Sequence, residues 1–194
     1  MAGIVSKKHK FVFIHIPKTA GTSIMHNFEH LGKRRKRIMF KKLNKKELNY
    51  FKFAFIRNPW DRIVSNYFYS FKSPKKKKME DLYKQFSSCE DFLNGFDKKM
   101  DEYKTLSLFP QCYWLEDKNC NIKMDYIGKF ENLKKDLGLI CSKIKILPHS
   151  YLQHWNKSNH KHYSYYYNDK TINKIAKIYK KDIELGNYKY EKRN

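Results

Sequence analysis

Twice in its first 70 residues the chain runs a short apolar segment straight into a helical pattern, and these two junctions limit the folds open to it. In "KFVFIHIPKTAGTSIMHNF" the run at 10–16 is made mostly of β-formers and is ended by Pro17. From Thr22 onward Ile24, Met25, Phe28 and Leu31 fall on one helical face, and Gly32 stops the pattern. In "FKFAFIRNPWDRIVSNYF" the strand is 51–56, Asn58 is placed to cap, and Pro59 opens a helix carrying Ile63, Val64, Tyr67 and Phe71. A third pair follows: a strand over 124–130, then a helix over 131–144 with Leu133, Leu137, Ile140, Cys141 and Ile144 on one face. Strands alternating with helices predict an α/β layered fold around a central, mostly parallel sheet. Ligands in such folds sit at the carboxyl ends of strands, so 17–22 and 57–59 are expected on one edge of the sheet.

The rest of the chain is less defined. Residues 33–46 are dominated by Lys and Arg and read as surface, "KSPKKKK" at 72–78 as a loop, and 79–106 as short helices broken near Gly95. A polar-aromatic loop spans 147–167 and a last helix spans 169–185, with Ile172, Ile175, Ala176, Tyr179 and Ile183 apolar. The length of 194 residues suits one domain covering 1–194, and no internal repeat is present. With 41% hydrophobic residues arranged in runs, the chain can build a core and is not of the disordered class. The formal net charge is +23, and 36 of the 42 basic residues are lysine. That balance fits a solvated lysine surface and an anion-attracting one equally, and either draws in an anionic ligand. The four cysteines have neither C-x-x-C spacing nor a zinc-finger histidine partner, and read as free thiols in a reducing compartment. No signal-peptide pattern or membrane span is visible, so a soluble, cytoplasmic protein is expected.

The chemistry of the first junction is that of an oxyanion cradle. A helix N-terminus offers unpaired N–H groups and partial positive charge. Gly21 allows close backbone approach, Thr19, Thr22 and Ser23 bring hydroxyls, and Lys18 brings a full charge. The loop is not a Walker A loop, because its lysine precedes its glycine by three residues rather than following it. By itself it could also be a plain turn. The second junction adds Arg57 at the strand end and Ser65 eight residues on, a guanidinium and a hydroxyl suited to a phosphate. Arg62 could do the same or serve the structure. Two anion sites on one sheet edge ask for a ligand with two anionic ends.

"FIHIPKTAGTS" together with "FKFAFIRNPWDRIVSNY" resembles the sulfotransferases of the carbohydrate type, sulfotransferase family 2. "PQCYWLEDKNCNIKMDYIGKFENLKKDL" at 110–137, the loop at 147–167 and "IYKKDIELGNY" at 178–188 are similar to later family segments. The resemblance implies a P-loop-NTPase-like three-layer fold and a donor, 3′-phosphoadenosine 5′-phosphosulfate (PAPS), whose product is PAP. It implies that Pro17, Lys18, Thr19, Ala20, Gly21, Thr22 and Ser23 hold the 5′-phosphosulfate and that Arg57 and Ser65 hold the 3′-phosphate. Lys157 and Ser158 belong to the loop that covers the nucleotide in such enzymes. The acceptor is then a hydroxyl, of a glycan or small metabolite, and no metal is expected.

Sulfuryl transfer needs in-line geometry and charge neutralisation on the leaving group, which makes Lys18 the catalytic candidate. A general base is also needed. Many relatives carry a histidine ahead of the second strand, where this chain has "KRRKRIMFKKLNKKELNY". His15, at the end of the first strand, is the candidate base; His26, Glu29, His30 and His154 are more distant options. Two other classes stay open: a non-catalytic basic anion binder with nucleic acid as partner, and a P-loop-like kinase. The lysines are spread along the chain and no nucleic-acid module is present, which counts against the first. The misplaced lysine counts against the second.

Overall fold

Side chains alternate across a strand, so a strand buried on both faces needs cover on both sides, and that requirement organises this molecule. The computed structural model describes residues 2–70, 81, 83–103, 106–147 and 160–193. Its strands are β1 (Ala2–Ser6), β2 (Phe11–Ile14), β3 (Lys33–Lys36), β4 (Phe51–Ile56) and β5 (Tyr126–Lys129). Its helices are α1 (Gly21–Phe28), α2 (Lys45–Leu48), α3 (Pro59–Ser70), α4 (Cys89–Tyr103), α5 (Cys112–Leu115), α6 (Leu133–Lys143), α7 (Asp169–Ile178) and α8 (Lys180–Gly186). The chain forms two compact units: Met1–Arg57 with Gln111–Trp155, and Asn58–Pro110 with Asn156–Asn194.

The first unit is built on a five-stranded sheet of order β3-β1-β2-β4-β5. The three strands expected from sequence are its parallel part: β2 runs with β4, Phe13 opposite Phe53, and β4 with β5, Phe55 opposite Gly128. Two strands were not expected, and both pair antiparallel, β1 with β2 and β1 with β3. The sheet is therefore mixed rather than mostly parallel. The reason is local: β1 reaches β2 through the short turn at 7–10, which leaves room only for a hairpin. β3 reads "KRRK", which has no apolar alternation, because it is an edge strand open to solvent, where lysine discourages further pairing.

On one sheet face Ile4, Phe11, Phe13, Phe53 and Phe55 form a single core with Ile24, Met25 and Phe28 of α1 and Leu133, Leu137, Ile140 and Cys141 of α6. Both helices present the faces their sequence periods predict. On the other face Val5, Val12, Ile14, Ala54 and Ile56 are buried as well. Part of that cover comes from the stretch at 33–46, which is not all surface: Ile38, Met39 and Phe40 are buried. A Cβ on Gly3 would lie 2.9 Å from Ile38 Cδ1, so Ile38 packs directly on the strand backbone.

The second unit is helical. Trp60, Ile63, Val64 and Tyr67 of α3 join Phe92, Leu93 and Phe96 of α4, Ile175 of α7 and Tyr179 in one core. Asn58 caps α3 as expected, its Oδ1 accepting from Trp60 N at 3.1 Å. α4 runs unbroken through Gly95, where a Cβ would meet the Phe86 ring at 2.9 Å; the glycine makes room for a ring rather than ending the helix. The last helix is instead two, separated at Tyr179 (φ −106°, ψ 27°), whose buried hydroxyl donates to the Leu108 carbonyl at 2.6 Å. Among the described residues no helix is long and apolar enough to cross a membrane. Phe71, the loop at 72–78 and 148–159 of the C-terminal loop lie outside the described residues.

Candidate active site

The loop between β2 and α1 is held in a conformation that ordinary side chains avoid. Lys18 (φ 68°) and Ala20 (φ 61°) both adopt the left-handed region without being glycine. Thr19 between them is fully buried, and its hydroxyl donates to the Ile16 carbonyl at 3.0 Å. That hydroxyl therefore ties the loop to the end of β2, whereas sequence reasoning counted it as a ligand donor. The αL residue Ala20 takes the N-cap position of α1, where no side chain caps the helix and no acidic residue stands in the first turn. A helix N-terminus carries partial positive charge, and no acid in this first turn neutralises it. Gly21 and Ser23 are buried there, and Thr22 is half-buried.

Gly21 is required by a neighbour. A Cβ at this position would fall 1.9 Å from both Cδ2 and Nε2 of His15. The histidine ring thus lies flush against the start of α1. It stacks on Phe13 with centroids 6.0 Å apart, and its Nδ1 sits 2.9 Å from the Ala2 carbonyl. A carbonyl only accepts, so Nδ1 carries the proton and Nε2, on the loop side, carries the lone pair. Desolvation lowers the imidazole from its usual 6.5 to about 4, with the Ala2 hydrogen bond opposing that shift. His15 is neutral at physiological pH.

Arg57 follows the last residue of β4 and is buried. Its Nη1 donates to the Lys18 carbonyl at 3.2 Å, and its guanidinium lies over the Phe130 ring at 4.1 Å. The two sequence motifs therefore meet: the strand-end arginine holds the loop at its strained residue. Gln111, fully buried, grips the Arg57 backbone, and neither it nor Phe130 was singled out from sequence. The available signal was a lone amide inside the aromatic run "FPQCYW" at 109–114.

Arg62 is fully buried in the second unit, donating to the carbonyls of Ser107 (3.0 Å) and Phe109 (2.8 Å), a structural role. Ser65 is buried on α3 in that same unit. Glu29 pairs with Arg34 of β3 and lies 3.6 Å from His26. Lys157, Ser158 and His154 lie outside the described residues.

The structure thus brings together a helix N-terminus without a side-chain cap, a strained loop carrying a lysine, and an arginine bonded to that loop. In keeping with this, the model of the sulfotransferase family matches residues 2–189, and the chain belongs to that family. It is 25% identical to human carbohydrate sulfotransferase 9, over 72% of this chain and 40% of that protein. It is also 33% identical to an uncharacterised protein of Archaeoglobus fulgidus, over 49% of this chain and 68% of that protein. The chain thus spans well under half of the human relative. No solved structure matches it.

Proposed function

We propose that the chain transfers a sulfuryl group from PAPS to a hydroxyl, with a carbohydrate as the acceptor class. The single observation that carries this reading is the Arg57–Lys18 contact, which joins the two anion-binding motifs in one place. The named human relative supports the carbohydrate acceptor. The residues fit the donor: an uncapped helix end suits its 5′ anionic group and a buried guanidinium its 3′-phosphate.

PAPS supplies an activated sulfuryl group on a phosphate leaving group. Lys18 would neutralise charge on the leaving oxygen, and the backbone N–H groups of residues 19–23 would hold the transferring sulfuryl group. By the family resemblance, Arg57 and Ser65 would bind the 3′-phosphate, and Lys157 and Ser158 would belong to the cofactor-binding set. His15 Nε2 takes the proton of the acceptor hydroxyl, the role its neutral tautomer allows.

Thermal unfolding with PAP, adenosine 5′-phosphate, ATP and short DNA tests this. PAP at a hundred times its dissociation constant should stabilise the protein by about 2.7 kcal/mol, and adenosine 5′-phosphate should do less. A salt-sensitive shift with DNA and none with PAP would overturn the reading. Incubation with 35S-labelled PAPS and a panel of glycans then identifies the acceptor.

A further inference from the structure

We infer that Gln111 is a positioning residue that sets Arg57 for the 3′-phosphate, an inference that rests on the nucleotide reading above. The sheet ladders run out just before Arg57. The β2 register ends at Ile14 opposite Ala54, and the β5 register ends at Lys129 opposite Ile56. A buried backbone leaving a ladder must find partners for its N–H and C=O, or their desolvation goes uncompensated. Gln111 supplies both. Its Oε1 accepts from Arg57 N at 2.9 Å, and its Nε2 donates to Arg57 O at 2.9 Å. The side-chain amide thus mimics one more rung of β-sheet, made 54 residues away in sequence.

The consequence falls on the side chain. With the Arg57 backbone clamped on both polar groups, its Cα–Cβ direction is fixed at the end of β4. The Phe130 face at 4.1 Å and the Lys18 carbonyl at 3.2 Å then define where the guanidinium rests. Three fixed supports leave a long side chain little rotamer freedom to lose on binding, and pre-organisation of this kind raises affinity. An amide is the chemical group required: it has one acceptor and two donors on a planar head, and it is uncharged beside the arginine. A carboxylate would turn a second acceptor toward the Arg57 carbonyl.

The test uses Gln111→Met, which keeps length and volume and removes both hydrogen bonds, and Gln111→Asn, which keeps the amide but shortens it by a methylene. Two quantities are measured. One is the ratio of affinities for PAP and adenosine 5′-phosphate by calorimetry; the other is the rotation rate of the Arg57 guanidinium by nitrogen-15 NMR without ligand. The expected result is a PAP affinity reduced about two- to tenfold, the scale set by ordering one long side chain on binding. Adenosine 5′-phosphate binding should be nearly unchanged, and guanidinium rotation faster. Gln111→Met combined with Arg57→Ala should bind PAP no worse than Arg57→Ala alone. Equal loss for both nucleotides, or an unchanged guanidinium in whichever variant folds, overturns the positioning role. If the parent protein binds neither nucleotide while guanidinium rotation still quickens in the variants, the cofactor reading falls and the clamp on Arg57 stands.

Discussion

Replacing Gly21 by alanine should destabilise the protein through one contact, and the size of the effect follows from the packing. Gly21 is not in the left-handed region, so the alanine meets no backbone strain. A helical position also favours alanine over glycine by up to about 1 kcal/mol. Against this, the new Cβ would sit 1.9 Å from His15 Cδ2 and Nε2 and 2.6 Å from Cε1, distances that force the ring to move. The ring cannot move without leaving the Ala2 carbonyl and its stack on Phe13. Overpacking costs about 1–3 kcal/mol and the lost hydrogen bond about 1 kcal/mol, so the net cost is about 1–3 kcal/mol once the helix gain is subtracted. The measurement is a double-mutant cycle by urea unfolding with His15→Ala, which empties the space the new methyl would need. Gly21→Ala should cost little or nothing in the His15→Ala background, giving a coupling energy of about 2 kcal/mol or more. Additivity within about 0.5 kcal/mol would show that the ring does not dictate the glycine.

Four further outcomes are expected. His15 should titrate near pH 4 by NMR. Because the unfolded chain binds this proton near pH 6.5, the stability contributed by the neutral ring is fully present above pH 6.5 and is lost as pH falls from 6.5 toward 4, a dependence absent in His15→Ala. Ala20→Gly should raise stability by about 1 kcal/mol in urea melts, since Ala20 at φ 61° and ψ 17° carries left-handed strain that glycine lacks. Arg62→Met should cost about 2–4 kcal/mol, because the buried carbonyls of Ser107 and Phe109 lose the guanidinium that donates to both. Lys18→Ala should abolish sulfuryl transfer with a modest loss of PAP affinity, whereas Arg57→Ala should chiefly weaken PAP binding; near-normal turnover in the lysine variant would refute its assigned role.

What could be read from the sequence divides along a physical line. β2, β4, β5, α1, α3 and α6 were legible because their signal is local: a dense apolar run, a 3.6-residue period, Asn58 and Pro59 at a helix start. β1 and β3 were not. β3 is four basic residues, and its strand character comes entirely from the β1 edge it pairs with. Gly95 and Tyr179 misled in opposite senses. A glycine that admits the Phe86 ring looks in sequence like one that ends a helix, and a tyrosine that fits the apolar stripe hides a break.

The site follows the same division. Loop residues that offer charge or hydroxyl, such as Lys18 and Arg57, announce themselves by residue type. Residues that act by holding backbone do not, since any backbone looks alike in a sequence. The Thr19 hydroxyl was therefore read as a ligand donor with no sign that it also bonds the Ile16 carbonyl, and Gln111 passed unnoticed although it serves both polar groups of Arg57. The same reasoning explains why His15 and Gly21 are one feature rather than two. Glycine there is not chosen for conformational freedom, since its φ needs none; it is chosen because an imidazole occupies the space a methyl would take. That ring is fixed by the Ala2 carbonyl, so the unexpected strand β1 is what orients the candidate base. A strand that is almost invisible in the sequence thereby reaches the centre of the proposed chemistry.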